Sequence, residues 1–178
     1  VWRAVGRVLD DFPGMGAVIE NHVSRANTAQ LGKTAEKVGD KRIGIELSPE
    51  HAYVMQENVL DLIARYTPHI HQICWADRKV VQHDLGRFDK RYYHVRYESC
   101  WNGDGIVPTK AILDALAKGG FDDYVSLKYE KSTTYGAHLP PSEEALAHFP
   151  GFISAFGHFN RGAAKAPPPA RATLTESR

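Results

Sequence analysis

Four short apolar runs in this chain end in side chains that can move protons or bind ions. Glu20 and His22 close the first run, and Glu46 and His51 belong to the second. Cys74 and Asp77 close the third, and Lys128 and Glu130 the fourth. Glu46 is the sharpest signal, because it sits inside Ile43 to Leu47, a run that otherwise reads as a buried strand. A buried carboxylate is costly unless it is paired or ligated. A strand that carries one, with a histidine just past its end, is therefore a candidate active-site edge. Glu20 and Glu46 have the chemistry of proton transfer or cation binding. Asp77 and Arg78 supply either a substrate contact or one local ion pair.

The elements that must position these residues follow from periodicity. Val1 to Phe12 reads as an amphipathic helix stopped by Pro13 and Gly14. Met15 to Ile19 is a short strand. Asn27 or Thr28 caps a helix through Leu31, Ala35 and Val38 that ends at Gly39. The strand around Glu46 turns at Ser48 to His51, and apolar residues at helical spacing then predict one long helix from about Ala52 to Tyr66. His69 to Trp75 is a third strand. Val80 to Pro108 reads as a long connection, with an alternating, strand-like stretch over Arg91 to Tyr97 and a turn at Asn102 to Gly105. Thr109 to Ala117 is helical, Tyr124 to Glu130 is the fourth strand, and Glu143 to Phe149 reads as a further helix. Strand and helix thus alternate, which argues for parallel βαβ units. No GxGxxG or GxxxxGK[ST] follows the first strand, so the nucleotide-binding forms of this class have no support. Functional groups at the ends of several parallel strands suit a (β/α)8 barrel, of which four strands are half.

Composition narrows the setting. The chain has 178 residues, 43% of them hydrophobic, and a formal net charge of +1. That suits one ordinary domain and leaves no electrostatic footprint for nucleic acid or an acidic membrane surface. Two cysteines make no disulfide framework, so the expected compartment is the cytoplasm. No apolar run reaches the length of a membrane span. The opening Val1-Trp2 reads as the start of a mature piece or a fragment. Residues 1–160 are expected to form the domain. The tail over 161–178 has no periodicity and few large apolar residues, and is expected to be disordered.

Five stretches taken together resemble the C-terminal half of the xylose isomerase-like barrels, the sugar isomerases and epimerases that share their fold with endonuclease IV. They are AVIENH at Ala17–His22, VGDKRIGIELSPEH at Val38–His51, HQICWADRKV at His71–Val80, NGDGIVPTKAILDAL at Asn102–Leu116 and FDDYVSLKYE at Phe121–Glu130. The resemblance implies an α/β fold, a partial TIM barrel of the last four to five βα units, with the other half of the barrel lying before Val1. It also implies a divalent metal, Mn2+ or Mg2+, held by a Glu, an Asp, a His and a Glu on successive strands. Carried over by position, these fall on Glu20, Ser48, Cys74 and Lys128. Glu20 is thus the matched ligand, and Glu46 is the carboxylate on a neighbouring strand that can replace a lost one. Glu20 and Lys128 become the expected catalytic pair, the Lys128 ammonium meeting the Glu20 carboxylate. By strand alternation Lys128 shares a face with Ser126 and Glu130. His51, Trp75, Asp77, Arg78 and Glu130 become the expected substrate contacts, Trp75 by stacking on a sugar ring.

Three functions compete on these residues. A sugar or sugar-phosphate isomerase or epimerase needs a carboxylate to move a proton next to a carbonyl and an electrophile to hold the enediolate. A barrel that binds a small ligand or a partner subunit without turnover fits the substitutions at Ser48, Cys74 and Lys128. An endonuclease IV-like phosphodiesterase needs a multi-metal cluster and a basic face, and the substituted ligands and near-zero charge argue against it. The first is the expectation, with a small carbohydrate as substrate. Self-association into a homo-oligomer, or association with the missing half of the barrel, is expected from the open side of a half-barrel.

Overall fold

The computed structural model describes residues 1–23, 25–83 and 94–128. Glu130, the expected helix over 143–149 and the tail over 161–178 lie outside them. Helix α1 (Trp2–Asp10) precedes strand β1 (Ala17–Glu20), and helix α2 (Thr28–Val38) leads to β2 (Ile43–Leu47). Helices α3 (Pro49–Val54) and α4 (Val59–Tyr66) and a 3-10 turn then lead to β3 (Ile70–Trp75). A hairpin of β4 (Asp77–His83) and β5 (His94–Cys100) follows, then α5 (Thr109–Lys118) and β6 (Tyr124–Leu127). Strands β1, β2, β3 and β6 lie in that order in one sheet, every neighbouring pair parallel. All four C-terminal ends therefore face the same way, as the alternation of strand and helix predicts.

The structure departs from the sequence reading in two places. The single helix expected to Tyr66 is two helices. Gln56 takes a positive φ of 59° at the break, and Glu57 leaves the helical path. Its carboxylate accepts hydrogen bonds from Thr28 N at 3.0 Å, Thr28 Oγ1 at 2.8 Å and Ala29 N at 3.1 Å. An anion at the N-terminus of α2 satisfies donors that the helix cannot, and Asn58 then caps α4. The second departure is the connection over Val80 to Pro108. It holds the antiparallel hairpin, paired from Asp77↔Cys100 to His83↔His94.

The faces of the sheet divide by polarity. Ile45 packs with Leu31 and Tyr66, while Leu47, Ile70, Ile73 and Trp75 pack under α4 and α5 with Ile63, Ile112 and Leu116. The other face carries Glu20, Glu46, Gln72, Ser126 and Lys128, all partly exposed. Ile70 and Ile73 lie three residues apart, yet both reach the apolar core. A bulge allows it: Ile45 pairs with Ile70, but Glu46 pairs with Gln72. The extra residue is His71, whose ring lies where a Cβ on Gly44 would stand. A bulge of this kind re-aims side chains without losing the sheet.

Asp77 fixes the base of the hairpin. Its carboxylate is buried and accepts from four backbone amides: Arg78 at 2.8 Å, Gly103 at 3.0 Å, Gly105 at 3.0 Å and Val107 at 3.1 Å. A side chain on Gly105 would collide with this carboxylate. Asp77→Ala strands these donors in a buried loop and is expected to cost about 3 kcal/mol or more, because an unmet buried donor costs about 1–3 kcal/mol. Urea unfolding measures this. A loss below about 1 kcal/mol would show that water replaces the carboxylate freely.

Candidate functional site

The site begins where β1 and β2 end. Asn21 is fully buried and clasps Ser48 from both sides, Nδ2 donating to Ser48 O at 3.0 Å and Oδ1 accepting from Ser48 N at 2.6 Å. The clasp continues the sheet by one side chain and sets where α3 starts. Pro49 opens that helix with φ already suitable. The first turn of α3 then delivers Glu50 and His51 to the mouth.

Glu50 and His51 join a buried polar line. Glu50 Oε2 pairs with Arg78 Nε, and Arg78 Nη1 donates to Ser99 Oγ at 2.7 Å. Glu50 Oε1 faces His51 Nε2 at 3.4 Å. On the other edge of the ring, His51 Nδ1 donates to the Asn21 carbonyl at 2.8 Å and lies 3.8 Å from Glu20 Oε1. The ring also meets His22 edge-on, centroids 4.5 Å apart. The Glu50 side chain is 0% exposed and that of His51 5%.

Glu20 leads from this buried line to the open face. Its Oε1 lies 3.8 Å from Lys128 Nζ, both side chains 28% exposed. The two groups lie within ion-pair distance, with more access to solvent than a core ion pair. Their geometry reports the shape of the sheet. Glu20 is on β1 and Lys128 follows β6, the two outer strands, and three strand spacings of ~4.8 Å put such strands ~14 Å apart in a flat sheet. A sheet that curls toward its polar face, as the sheet of a barrel does, brings two such side chains within reach.

The rest of the concave face is tied together. Gln72 Nε2 donates to Glu46 Oε1 at 2.9 Å and approaches Ser126 Oγ at 3.4 Å, and Ser126 Oγ donates to Ile73 O at 3.0 Å. The Glu46 carboxyl is pushed above its ordinary range, first by burial and then by the neighbouring Glu20. Burial, Glu20 and Glu46 push the Cys74 thiol up to about 11, so it remains a thiol at neutral pH.

The structure therefore brings together Glu20, Glu46 and Lys128 on the open face, with His51 behind Glu20. Three expected substrate contacts are placed elsewhere. Trp75 is 0% exposed within the helix-side core, on the opposite face from Cys74, so it presents no stacking surface. Asp77 is committed to backbone amides, and the Arg78 guanidinium to Glu50 and Ser99. Glu130 lies outside the described residues. Sequence reasoning passes over Glu50 as a turn residue. Its one signal is position, between a helix-opening proline and a candidate histidine.

Comparisons with known proteins place this geometry in a group. A family model for the xylose isomerase-like TIM barrel matches residues 1–153. No curated protein matches the chain in sequence. Among solved structures, the chain is similar to the IolI protein with a binding zinc atom: TM-score 0.66, 17% identity, covering 88% of this chain and 54% of that one. It is similar to L-ribulose 3-epimerase, with TM-score 0.64 and 17% identity over 93% of this chain and 58% of that one. D-psicose 3-epimerase from Clostridium cellulolyticum H10, solved with D-tagatose, gives TM-score 0.63 and 14% identity over 88% and 53%. The chain spans a little over half the length of these structures, as a partial barrel should.

The group's metal chemistry can be tested against the donor set. Among the described residues, no three His, Cys, Asp or Glu side chains converge to hold a metal ion. Cys74 is held as a thiol, the Ser48 hydroxyl is a neutral oxygen, and Glu20 Oε1 already faces an ammonium of the chain itself at 3.8 Å. These residues do not fit a conventional divalent site.

Burial separates the two ion pairs energetically. Arg78→Met leaves Glu50 charged and enclosed and is expected to cost ~3–5 kcal/mol. Lys128→Met, acting on a half-open pair, is expected to cost ~1 kcal/mol or less, with a coupling to Glu20→Gln of similar size. Chemical denaturation of the single and double variants reads both, and the reverse order would contradict the burial argument. Glu46 adds a pH test. A carboxyl raised in the folded state contributes stability below its unfolded pKa and loses it as pH rises. Glu46→Gln should therefore gain on the wild type between pH 4 and pH 8. A stability difference that stays flat with pH would refute the raised carboxyl.

Proposed function

The chain belongs to the xylose isomerase-like TIM barrel family, and from that premise we propose that it serves proton transfer next to the carbonyl of a small carbohydrate, as an isomerase or epimerase. One observation carries the reading: Lys128 Nζ lies 3.8 Å from Glu20 Oε1 on the concave face, at the C-terminal ends of parallel strands. Active sites of barrels lie at that end.

Each group has a role in this reading. Glu20 takes the proton from the carbon beside the carbonyl. Negative charge then develops on the carbonyl oxygen, and the Lys128 ammonium donates a hydrogen bond to it. Electrostatic help of that kind is worth most where charge appears in the transition state. Glu46, its carboxyl raised by burial and by Glu20, keeps a proton to higher pH than a free carboxylate and returns one to the substrate. Gln72 and Ser126 offer neutral partners for sugar hydroxyls. His51, braced by Glu50 and Asn21, fixes the edge against which Glu20 rests. The sugar-acting neighbours support the substrate class by likeness of fold.

Deuterium exchange tests the reaction whichever product forms. The protein is incubated in D2O with D-fructose, D-tagatose, L-ribulose and their phosphates, and proton NMR follows the hydrogen beside the carbonyl. Exchange above background is expected for at least one ketose. Glu20→Gln should slow it by ~10²–10⁴-fold, the usual contribution of a positioned base. Exchange with none of these, or exchange undiminished in Glu20→Gln, would remove the reading.

A further inference from the structure

The concave face sets two carboxylates side by side, Glu20 paired in register with Glu46 on the adjacent strand. Two neighbouring carboxylates ionise together only where a cation lies between or beside them, and otherwise one of them keeps a proton. In a site built for a metal, a divalent ion meets that need and the surrounding ligands are hard oxygens or imidazoles. Here the chain brings its own cation from the far side of the sheet. Lys128 is held at its backbone by a 2.7 Å hydrogen bond from its N to Trp75 O, and its Nζ reaches Glu20 Oε1 at 3.8 Å. The Ser48 hydroxyl is fully buried and has no hydrogen-bond partner among the described residues, so it is no open ligand either.

We propose that Lys128 stands in the place of a divalent cation, so that this site is independent of metal, and that one charge reversal at this position converts it into a metal site. The ammonium neutralises Glu20 from one side and repels a second cation from the same carboxylate. A lysine is a point charge with three donors. It therefore supplies charge and hydrogen bonds to an oxygen without the fixed coordination geometry of a metal. Replacing it with a carboxylate would set a third acid on the face that carries Glu20 and Glu46, and hard divalent cations such as Mn2+ or Mg2+ take oxygen-rich sets. The inference rests on the proposed proton transfer only for the location of the site, and its test reads binding.

Isothermal titration and thermal unfolding with MnCl2 are compared for the wild type, Lys128→Glu and Glu20→Gln. The wild type is expected to show no stoichiometric binding and no rise in Tm. Lys128→Glu is expected to bind Mn2+ tighter than the wild type by roughly tenfold or more, with a rise in Tm that the wild type lacks. Stoichiometric, micromolar binding by the wild type that Glu20→Gln abolishes would overturn the proposal. So would a folded Lys128→Glu that binds no more tightly than the wild type. Should that variant fail to fold, the wild-type titration decides alone: micromolar binding lost in Glu20→Gln overturns the proposal, and its absence supports it. Failure of deuterium exchange leaves this result unaffected, because no turnover is read.

Discussion

The contact between Lys128 and Glu20 depends on curvature, and most of the structure depends on the same curvature. The two side chains belong to the outer strands of a four-stranded parallel sheet and yet lie 3.8 Å apart. Curling the sheet gives it two unlike faces. The convex face has room for helices and takes the apolar residues Ile45, Leu47, Ile73 and Trp75. The concave face is too narrow for helices and collects the ends of polar side chains. A carboxylate such as Glu46, expensive in an ordinary strand core, is tolerated because it meets Gln72, the field of Lys128 and partial solvent there.

Buried and half-buried charges divide the work at the mouth. The fully enclosed groups face protein on every side: Glu50 between Arg78 and His51, Asp77 among four amides, Asn21 clasping Ser48. They join β1, β2, α3 and the hairpin into one frame, and the loss of any of them strands a partner in low dielectric. The groups with solvent access, Glu20, Glu46 and Lys128, retain the freedom to exchange protons or meet a ligand. Preorganised sites have this layering, an enclosed brace behind and reactive ends in front.

Likeness to epimerases and to a zinc-binding neighbour, each spanned only in part by this chain, establishes the scaffold and leaves the chemistry to the residues. A barrel supports many reactions because its catalytic groups come from the ends of separate strands. A cation at the centre of such a mouth can be supplied by a bound ion or by the chain.

Much of the site is legible in the chain itself, because strand alternation is a local rule. Period two places Glu20, Glu46 and Lys128 on one side of their strands, and the apolar runs mark the four strands. The same rule, applied one residue past Cys74, puts Trp75 on the core side, which excludes the stacking role that its chemistry suggests. Other features are decided by residues far apart in sequence. Glu57 breaks a well-patterned helix because Thr28 and Ala29 need an acceptor. His71 is bulged out because Ile70 and Ile73 must both reach the core. Glu50 reads as an ordinary turn acid until Arg78 and Ser99 arrive from the hairpin. Periodicity records which face a side chain takes, since that depends on backbone geometry alone. Whether the face is then covered, and by which charge, depends on the packing of elements that only the folded chain brings together.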